Sequence, residues 1–270
     1  MSLIRDLPDA ALRPDLVSAA LAGRPPLVFL DYDGTLTPIV ERPENAVLAE
    51  ATRDMLRALA ARVPVAIVSG RDLALLRRFI ALDGLVYSGA HGFEIEGLPG
   101  GAREAPDVAR HLPVIAAAGR ALGAALASVP GVEVEHKRFS FAVHVRHVAP
   151  DDRATVEAEV RAFVAAHGDL KITPGKMVLE VQPRLDWHKG RAITQLIHAL
   201  DPEGRHCPVF LGDDITDEDG FRELASLPDG CLSIVVAEPE GEHWERETAA
   251  TLRLDDTDAV CAFLDGLGRG

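Results

Sequence analysis

The chain has 270 residues, 47% of them hydrophobic, and a formal net charge of -14. That apolar content suffices for one large packed domain or two modest ones and excludes a disordered chain. The acidic balance excludes broad contact with nucleic acid, because a binder of the phosphate backbone needs a basic face to release counterions. Cys207, Cys231 and Cys261 are odd in number and widely spaced, which reads as buried thiols in a reducing compartment. Residues 1–26 carry no basic segment ahead of an apolar core, and no run reaches transmembrane length. The expectation is a soluble cytoplasmic protein without a membrane partner.

The first predicted core strand is the apolar run Pro26–Leu30, which leads straight into Asp31-Tyr32-Asp33-Gly34-Thr35. Ligands of open parallel α/β sheets bind outside the carboxyl ends of strands, so both carboxylates fall at the default place for chemistry. Period-two alternation points Asp31 and Asp33 the same way and turns Tyr32 from them. Gly34 permits a sharp turn, and Thr35 offers a hydroxyl and an N–H to an anion. A carboxylate acts as a nucleophile toward phosphorus when a second acid protonates the leaving oxygen and a cation screens the negative charges. Asp31 suits the nucleophile and Asp33 the acid and base. Taken alone, the tetrapeptide also fits a polar turn closing a strand. Residues 28–37 as a whole resemble the first motif of the haloacid dehalogenase superfamily of phosphatases.

Apolar residues at helical spacing over 47–60 and a second buried strand over 63–68 complete a βαβ unit. That strand runs into Ser69-Gly70-Arg71, where the hydroxyl and the N–H groups opening the next helix suit a phosphoryl oxygen. The same tripeptide also makes an ordinary helix cap. After a helix carrying Leu73, Leu76 and Phe79, a short strand over 85–87 ends near Ser88.

The pattern then changes. A long Ala-rich helix is predicted over about 107–129, half-buried antiparallel strands near 132–135 and 139–145, and a helix over 150–166. Strands near 170–172 and 177–181 follow, separated by a turn at Thr173-Pro174-Gly175. Doubly wound periodicity resumes with a helix from Lys189, the strand 208–211, a helix near 221–227, strands at 232–236 and 252–254, and a final helix. The expected architecture is α/β: a doubly wound, mostly parallel sheet formed by residues 1–105 and 185–270, with an α+β cap inserted at 106–184. An insertion at the carboxyl edge of such a sheet is placed to roof the active site.

Two features bear on the chemistry of the later segments. All four lysines, Lys137, Lys171, Lys176 and Lys189, fall in one stretch, whereas the 24 arginines are spread along the chain. Lys189 opens a helix, an unfavourable place for a cation unless anions compensate. Residues 213–219 hold five acids in seven positions after an apolar strand. A hard divalent cation such as Mg2+ would relieve their repulsion. Asp31, the backbone carbonyl of Asp33 and Asp213 are the expected ligands, with Asp214 acting through water and Asp217 orienting Lys189 or the bound waters. Parity along the cap strands puts Glu135 with Lys137, His144 with Arg146, and Lys176 with Glu180 on the face opposite the valines and phenylalanines. That mixed face suits a polyhydroxylated ligand, and equally a solvated sheet surface.

The motifs together resemble the trehalose-6-phosphate phosphatases over about residues 27–264. The matches are Asp31-Tyr32-Asp33-Gly34-Thr35-Leu36, Ser69-Gly70-Arg71, Gly89-Ala90-His91-Gly92-Phe93-Glu94, Lys189-Gly190, the acidic run from Gly212 to Glu218, and the cap set. The resemblance implies a haloacid dehalogenase-like core, Mg2+, Asp31, Asp33, Ser69 and Lys189 as catalytic residues, and Thr35, Gly70 and Arg71 at the phosphate. It also implies sugar contacts from Glu94, Arg103, Glu135, Lys137, His144, Arg146, Lys176 and Glu180. A monomer acting on trehalose 6-phosphate is expected. Another sugar phosphate, such as that of sucrose or glucosylglycerol, and a non-catalytic sugar-phosphate sensor are the alternatives.

Overall fold

The computed structural model describes residues 1–40, 42–175, 177–228 and 230–267, the side chain of Pro174 apart. The chain forms two units, Met1–Arg103 with Trp187–Gly270, and Glu104–Asp186.

The first unit is built on an eight-stranded sheet. Its order is Leu252–Leu254, Leu232–Val236, Cys207–Gly212, Pro26–Leu30, Val65–Val68, Val86–Gly89, Glu94–Glu96 and the two-residue strand Arg103–Glu104, whose second residue already belongs to the other unit. The six strands from Leu252–Leu254 to Val86–Gly89 run parallel, and Glu94–Glu96 pairs antiparallel with its neighbour. The chain starts in the middle at Pro26–Leu30 and winds outward to Val86–Gly89. After the second unit it returns at Cys207–Gly212, on the other side of Pro26–Leu30. Strand order therefore reverses between these two strands, and a crevice opens at their carboxyl ends.

Both faces of this sheet are covered, which is why its strands read as continuous apolar runs. Val28 and Leu30 belong to one layer with Leu56, Leu76, Phe79 and Leu264. Leu27 and Phe29 belong to the other with Ile193, Leu196, Phe221 and Leu224. The amino-terminal residues, for which the sequence suggested no role, join the second layer through Ile4 and Leu7. Ser2–Leu3 pairs antiparallel with Glu247–Thr248.

The second unit is a four-stranded antiparallel sheet, in the order Glu133–His136, Phe141–His144, Val178–Pro183 and Leu170–Gly175. The helices Leu112–Leu126 and Pro150–Ala165 bury Ile115, Leu122, Val156 and Val160 against Phe141, Val143 and Val181. Three expectations need correction here. The turn expected at 173–175 is strand, paired through Thr173 with Glu180 and Pro174 with Leu179. Leu170–Gly175 is an edge strand, where a residue without an N–H is tolerated. The long helix begins with a separate 3-10 turn at Val108–His111, and its Pro113 sits in the first α turn, where no intrahelical donor is needed. Arg146 lies in the turn beyond Phe141–His144, so strand parity does not govern its direction. No helix of the described residues is long and apolar enough to cross a membrane.

Candidate active site

Asp31 and Asp213 stand at the ends of the two strands flanking the reversal. The Asp31 N–H extends the ladder to Leu211 O at 2.9 Å. Tyr32 turns into the core and donates to Ala46 O at 2.6 Å. Gly34 follows with φ +77°, and a Cβ there would lie 2.1 Å from Asp213 Oδ2. Only glycine lets the first strand's turn and the Asp213 carboxylate occupy the same corner.

Lys189 links the strands to a helix. Its Nζ donates to Asp31 Oδ1 at 2.6 Å and to Asp217 Oδ1 at 2.5 Å. Asp217 Oδ2 accepts the N–H groups of Asp213 and Asp214, each at 3.0 Å. Both Asp217 oxygens are thus engaged in holding Lys189 and the loop. These two carboxylates compensate the ammonium at the amino end of Lys189–Leu200.

The site is short of positive charge. Asp31, Asp213 and Asp217 bring carboxylate oxygens within 4.8 Å of one another, and Lys189 bonds two of them, Asp31 and Asp217. Burial pushes Asp31 up to about 7, with Lys189 opposing and Asp217 and Asp33 adding repulsion. Burial, then repulsion from Asp31, Asp217 and Asp214, raises Asp213 well above the carboxylate range. Burial works to lower Lys189, but Asp217 and Asp31 outweigh it and raise the ammonium above its ordinary value. Asp213 Oδ1 is buried without a hydrogen-bond partner. An orphaned oxygen among repelling carboxylates fits an oxygen-seeking divalent cation, and Mg2+ in particular when phosphate oxygens and water complete its shell.

Asp33 is in a different environment. Its side chain is 37% exposed, against 8% for Asp31. Arg71 clamps it with two hydrogen bonds, Nε to Oδ2 and Nη2 to Oδ1, each at 2.6 Å. The Arg71 N–H also donates to Ser69 Oγ at 3.2 Å. This loop is clasped by the next one: His91 N–H donates to Ser69 O at 2.9 Å and Ala90 N–H to Arg71 O at 2.8 Å. Ala90 and His91 both take the left-handed conformation, with φ of 50° and 57°. Such strain is stored where loops are held for function. Thr35 Oγ1 is buried with no partner, as a hydroxyl reserved for an anion would be.

The remaining expected residues divide. Asp214 is exposed and its side chain accepts from the Ile215 N–H at 2.6 Å, so its visible role is a helix cap. Glu94 opens Glu94–Glu96 and is half-buried. Arg103 is exposed and reaches Pro99 O at 3.4 Å. In the second unit, Glu135 Oε2 lies 3.0 Å from His144 Nε2, and Glu180 Oε1 accepts from Ser140 Oγ at 2.7 Å and Lys137 Nζ at 3.4 Å. These four residues form two pairs, Glu135 with His144 and Lys137 with Glu180; Arg146 is exposed in its turn, and Lys176 lies outside the described residues. Sequence reasoning missed Arg246, whose guanidinium binds the Asp213 carbonyl. It is a single cation in a segment holding Glu238, Glu240, Glu242, Glu245 and Glu247, and that isolation was the available signal.

A family profile described as trehalose-phosphatase matches residues 29–258. The chain belongs to the trehalose-phosphatase family. The trehalose-phosphate phosphatase of Mycobacterium avium is 41% identical over 263 residues, covering 97% of this chain and 66% of that protein. A Mycobacterium tuberculosis protein named as an uncharacterized glycosyl hydrolase is also 41% identical, over 268 residues, with 98% of this chain matched to 20% of its length. The chain thus spans at most about two thirds of these relatives. A solved trehalose-6-phosphate phosphatase related protein superposes with TM-score 0.74 at 25% identity, covering 90% of this chain and 96% of that one. A haloacid dehalogenase-like hydrolase from Bacteroides thetaiotaomicron shares the fold, with TM-score 0.59 at 14% identity over 90% of this chain and 99% of its own.

Proposed function

We propose that this chain hydrolyses trehalose 6-phosphate to trehalose and phosphate, as a Mg2+-dependent phosphatase acting through an aspartyl phosphate. The observation that carries this reading is the buried Asp31–Lys189–Asp217 arrangement beside the unpartnered Asp213 oxygen, in a chain of the trehalose-phosphatase family. Asp31, Asp213 and the backbone carbonyl of Asp33 would hold Mg2+. The bound cation supplies charge neutralisation, which restores the ionised form of Asp31 and lets an anionic substrate approach.

The rest falls to the chain's own groups. Lys189 aligns the Asp31 carboxylate, and Thr35, Ser69 and the Gly70 N–H bind phosphoryl oxygens, joined by the Arg71 N–H once it leaves Ser69 Oγ. An Asp31 oxygen attacks phosphorus while the bond to the sugar oxygen breaks, and Asp33 gives that oxygen its proton. Water then attacks the same phosphorus, losing a proton to Asp33, and phosphate departs from Asp31. Glu94 and Arg103, with Glu135, Lys137, His144, Arg146, Lys176 and Glu180, are the sugar-contacting set in this reading. The Glu135–His144 and Lys137–Glu180 pairs place donors and acceptors together, as a disaccharide requires. A cytoplasmic monomer completes the proposal.

Phosphate release from trehalose 6-phosphate, sucrose 6-phosphate and glucose 6-phosphate, with Mg2+ and with chelator, is the test. Trehalose 6-phosphate should be the preferred substrate, chelator should silence turnover, and Asp31→Asn should lower kcat by at least about 10³-fold with the fold intact. Near-normal release from the Asp31→Asn variant would sink the nucleophile assignment.

A further inference from the structure

Asp213 is the first residue beyond Cys207–Gly212, and both of its backbone groups are held by ionisable side chains. Its N–H donates to Asp217 Oδ2 at 3.0 Å, and its carbonyl accepts from Arg246 Nη2 at 2.9 Å. Arg246 holds Asp213 through Nη2 alone, its Nε and Nη1 being buried without a hydrogen-bond partner among the described residues. Its side chain is 17% exposed and its Nη2 lies 3.7 Å from Oε1 of Glu218, whose side chain is 2% exposed. Glu218 Oε2 in turn accepts the Ala249 N–H at 2.9 Å. The Arg246 carbonyl accepts the Ile4 N–H at 3.0 Å, next to the pairing of Ser2–Leu3 with Glu247–Thr248, so the amino terminus fixes the segment from which the guanidinium reaches out.

The restraint has a physical purpose. Asp31, Asp217 and Asp214 all repel the Asp213 carboxylate, and one way for a residue at a strand end to relieve such repulsion, besides turning its side chain, is to rotate its peptide planes. Fixing the N–H and the carbonyl leaves that rotation closed. The carboxylate then stays in the corner that Gly34 leaves for it. We propose that Arg246, facing the buried Glu218 and carried on a segment pinned by the Ile4 N–H, is a positioning residue for the cation-binding carboxylate of Asp213. The proposal rests on the reading of Asp213 as a ligand to a divalent cation. Groups that orient a metal ligand without touching the metal typically matter about 10- to 100-fold in metal affinity.

The test uses Mn2+ as a spin-active probe of the full chain without substrate, alongside thermal melting. Wild type should remove the free Mn2+ resonance signal stoichiometrically. Arg246→Ala should bind Mn2+ about tenfold more weakly, and Arg246→Lys, which keeps the charge but loses the planar fork, should lie between them. The Mg2+ concentration giving half-maximal phosphate release should rise by the same factor. If Arg246→Ala fails to fold, Arg246→Lys and Glu218→Gln carry the measurement. Lowered melting temperatures with unchanged Mn2+ affinity in the folded variants would overturn the positioning role. Wild type that binds no Mn2+ would overturn the cation reading itself, and this proposal with it.

Discussion

The nucleophile candidate Asp31 and its neighbour Asp33 differ by two positions and by almost everything else. Asp31 is buried against Lys189, while Asp33 is part-exposed and held by the guanidinium fork of Arg71. Burial raises Asp31, so its role as nucleophile requires a cation to restore its charge, and both Asp33 oxygens accept from Arg71, so a proton that Asp33 is to give requires that fork to open. Asp31, Asp213 and Lys189 were legible in the sequence because each sits where a predicted strand ends or a helix begins. The Arg71–Asp33 clamp was not, since it joins residues 38 positions apart across two connections whose approach depends on sheet order. Gly34 shows how narrowly the corner is built. Gly34→Ala should cost about 2 kcal/mol of stability from the left-handed backbone and raise the Mg2+ requirement about tenfold by displacing Asp213. Chemical denaturation and a Mg2+ titration of activity check the two effects; a variant with wild-type Mg2+ dependence would show that the corner tolerates a methyl group.

Elements with unbroken apolar runs were read correctly because both faces of the parallel sheet are covered. Alternation likewise marked the half-buried strands of the second unit. The reading failed at residues 173–175, where Pro-Gly composition signals a turn but the edge of a sheet accepts both residues. The connection between Lys189–Leu200 and Cys207–Gly212 carries its own lock. Asp201 Oδ1 accepts the Arg205 N–H at 3.0 Å and Oδ2 the His206 N–H at 2.8 Å. Burial alone would raise this carboxyl, but the donated hydrogen bonds, His206 and Arg205 foremost, hold it below its ordinary value. Its folded pKa therefore lies under the unfolded one near 3.8, so the stabilisation is complete above that pH and fades as pH falls through the folded value. Asp201→Asn should lose about 2 kcal/mol at neutral pH, with the gap to wild type closing below about pH 4. Denaturation curves across pH 2–7 measure it, and a gap that persists into acid would assign the effect to packing.

At the scale of the whole molecule, a chain of net charge -14 gathers three of its acids in one buried cluster and gives them a single lysine. Without a cation this cluster opposes folding, and with one it becomes a linkage between metal and stability. Mg2+ at 100 times its Kd should add about 2.7 kcal/mol to the wild-type protein. Asp213→Asn should erase that increment and raise the melting temperature of the cation-free protein, because a repelling buried carboxylate becomes a neutral amide. Calorimetry with and without Mg2+ decides the matter, and a melting temperature indifferent to Mg2+ would refute it. By itself the sequence determined the doubly wound core, marked the change of pattern between its two halves, and placed the candidate acids and lysine at strand ends and a helix start, since periodicity and strand ends are local properties of a chain. The tertiary structure alone decided which acid Arg71 clamps, that Asp217 holds Lys189 and the loop, that Asp213 keeps an orphaned oxygen, and that Arg246 braces it from a segment tied to the amino terminus. Those contacts depend on which strands lie side by side, and strand order is a property of the whole folded chain.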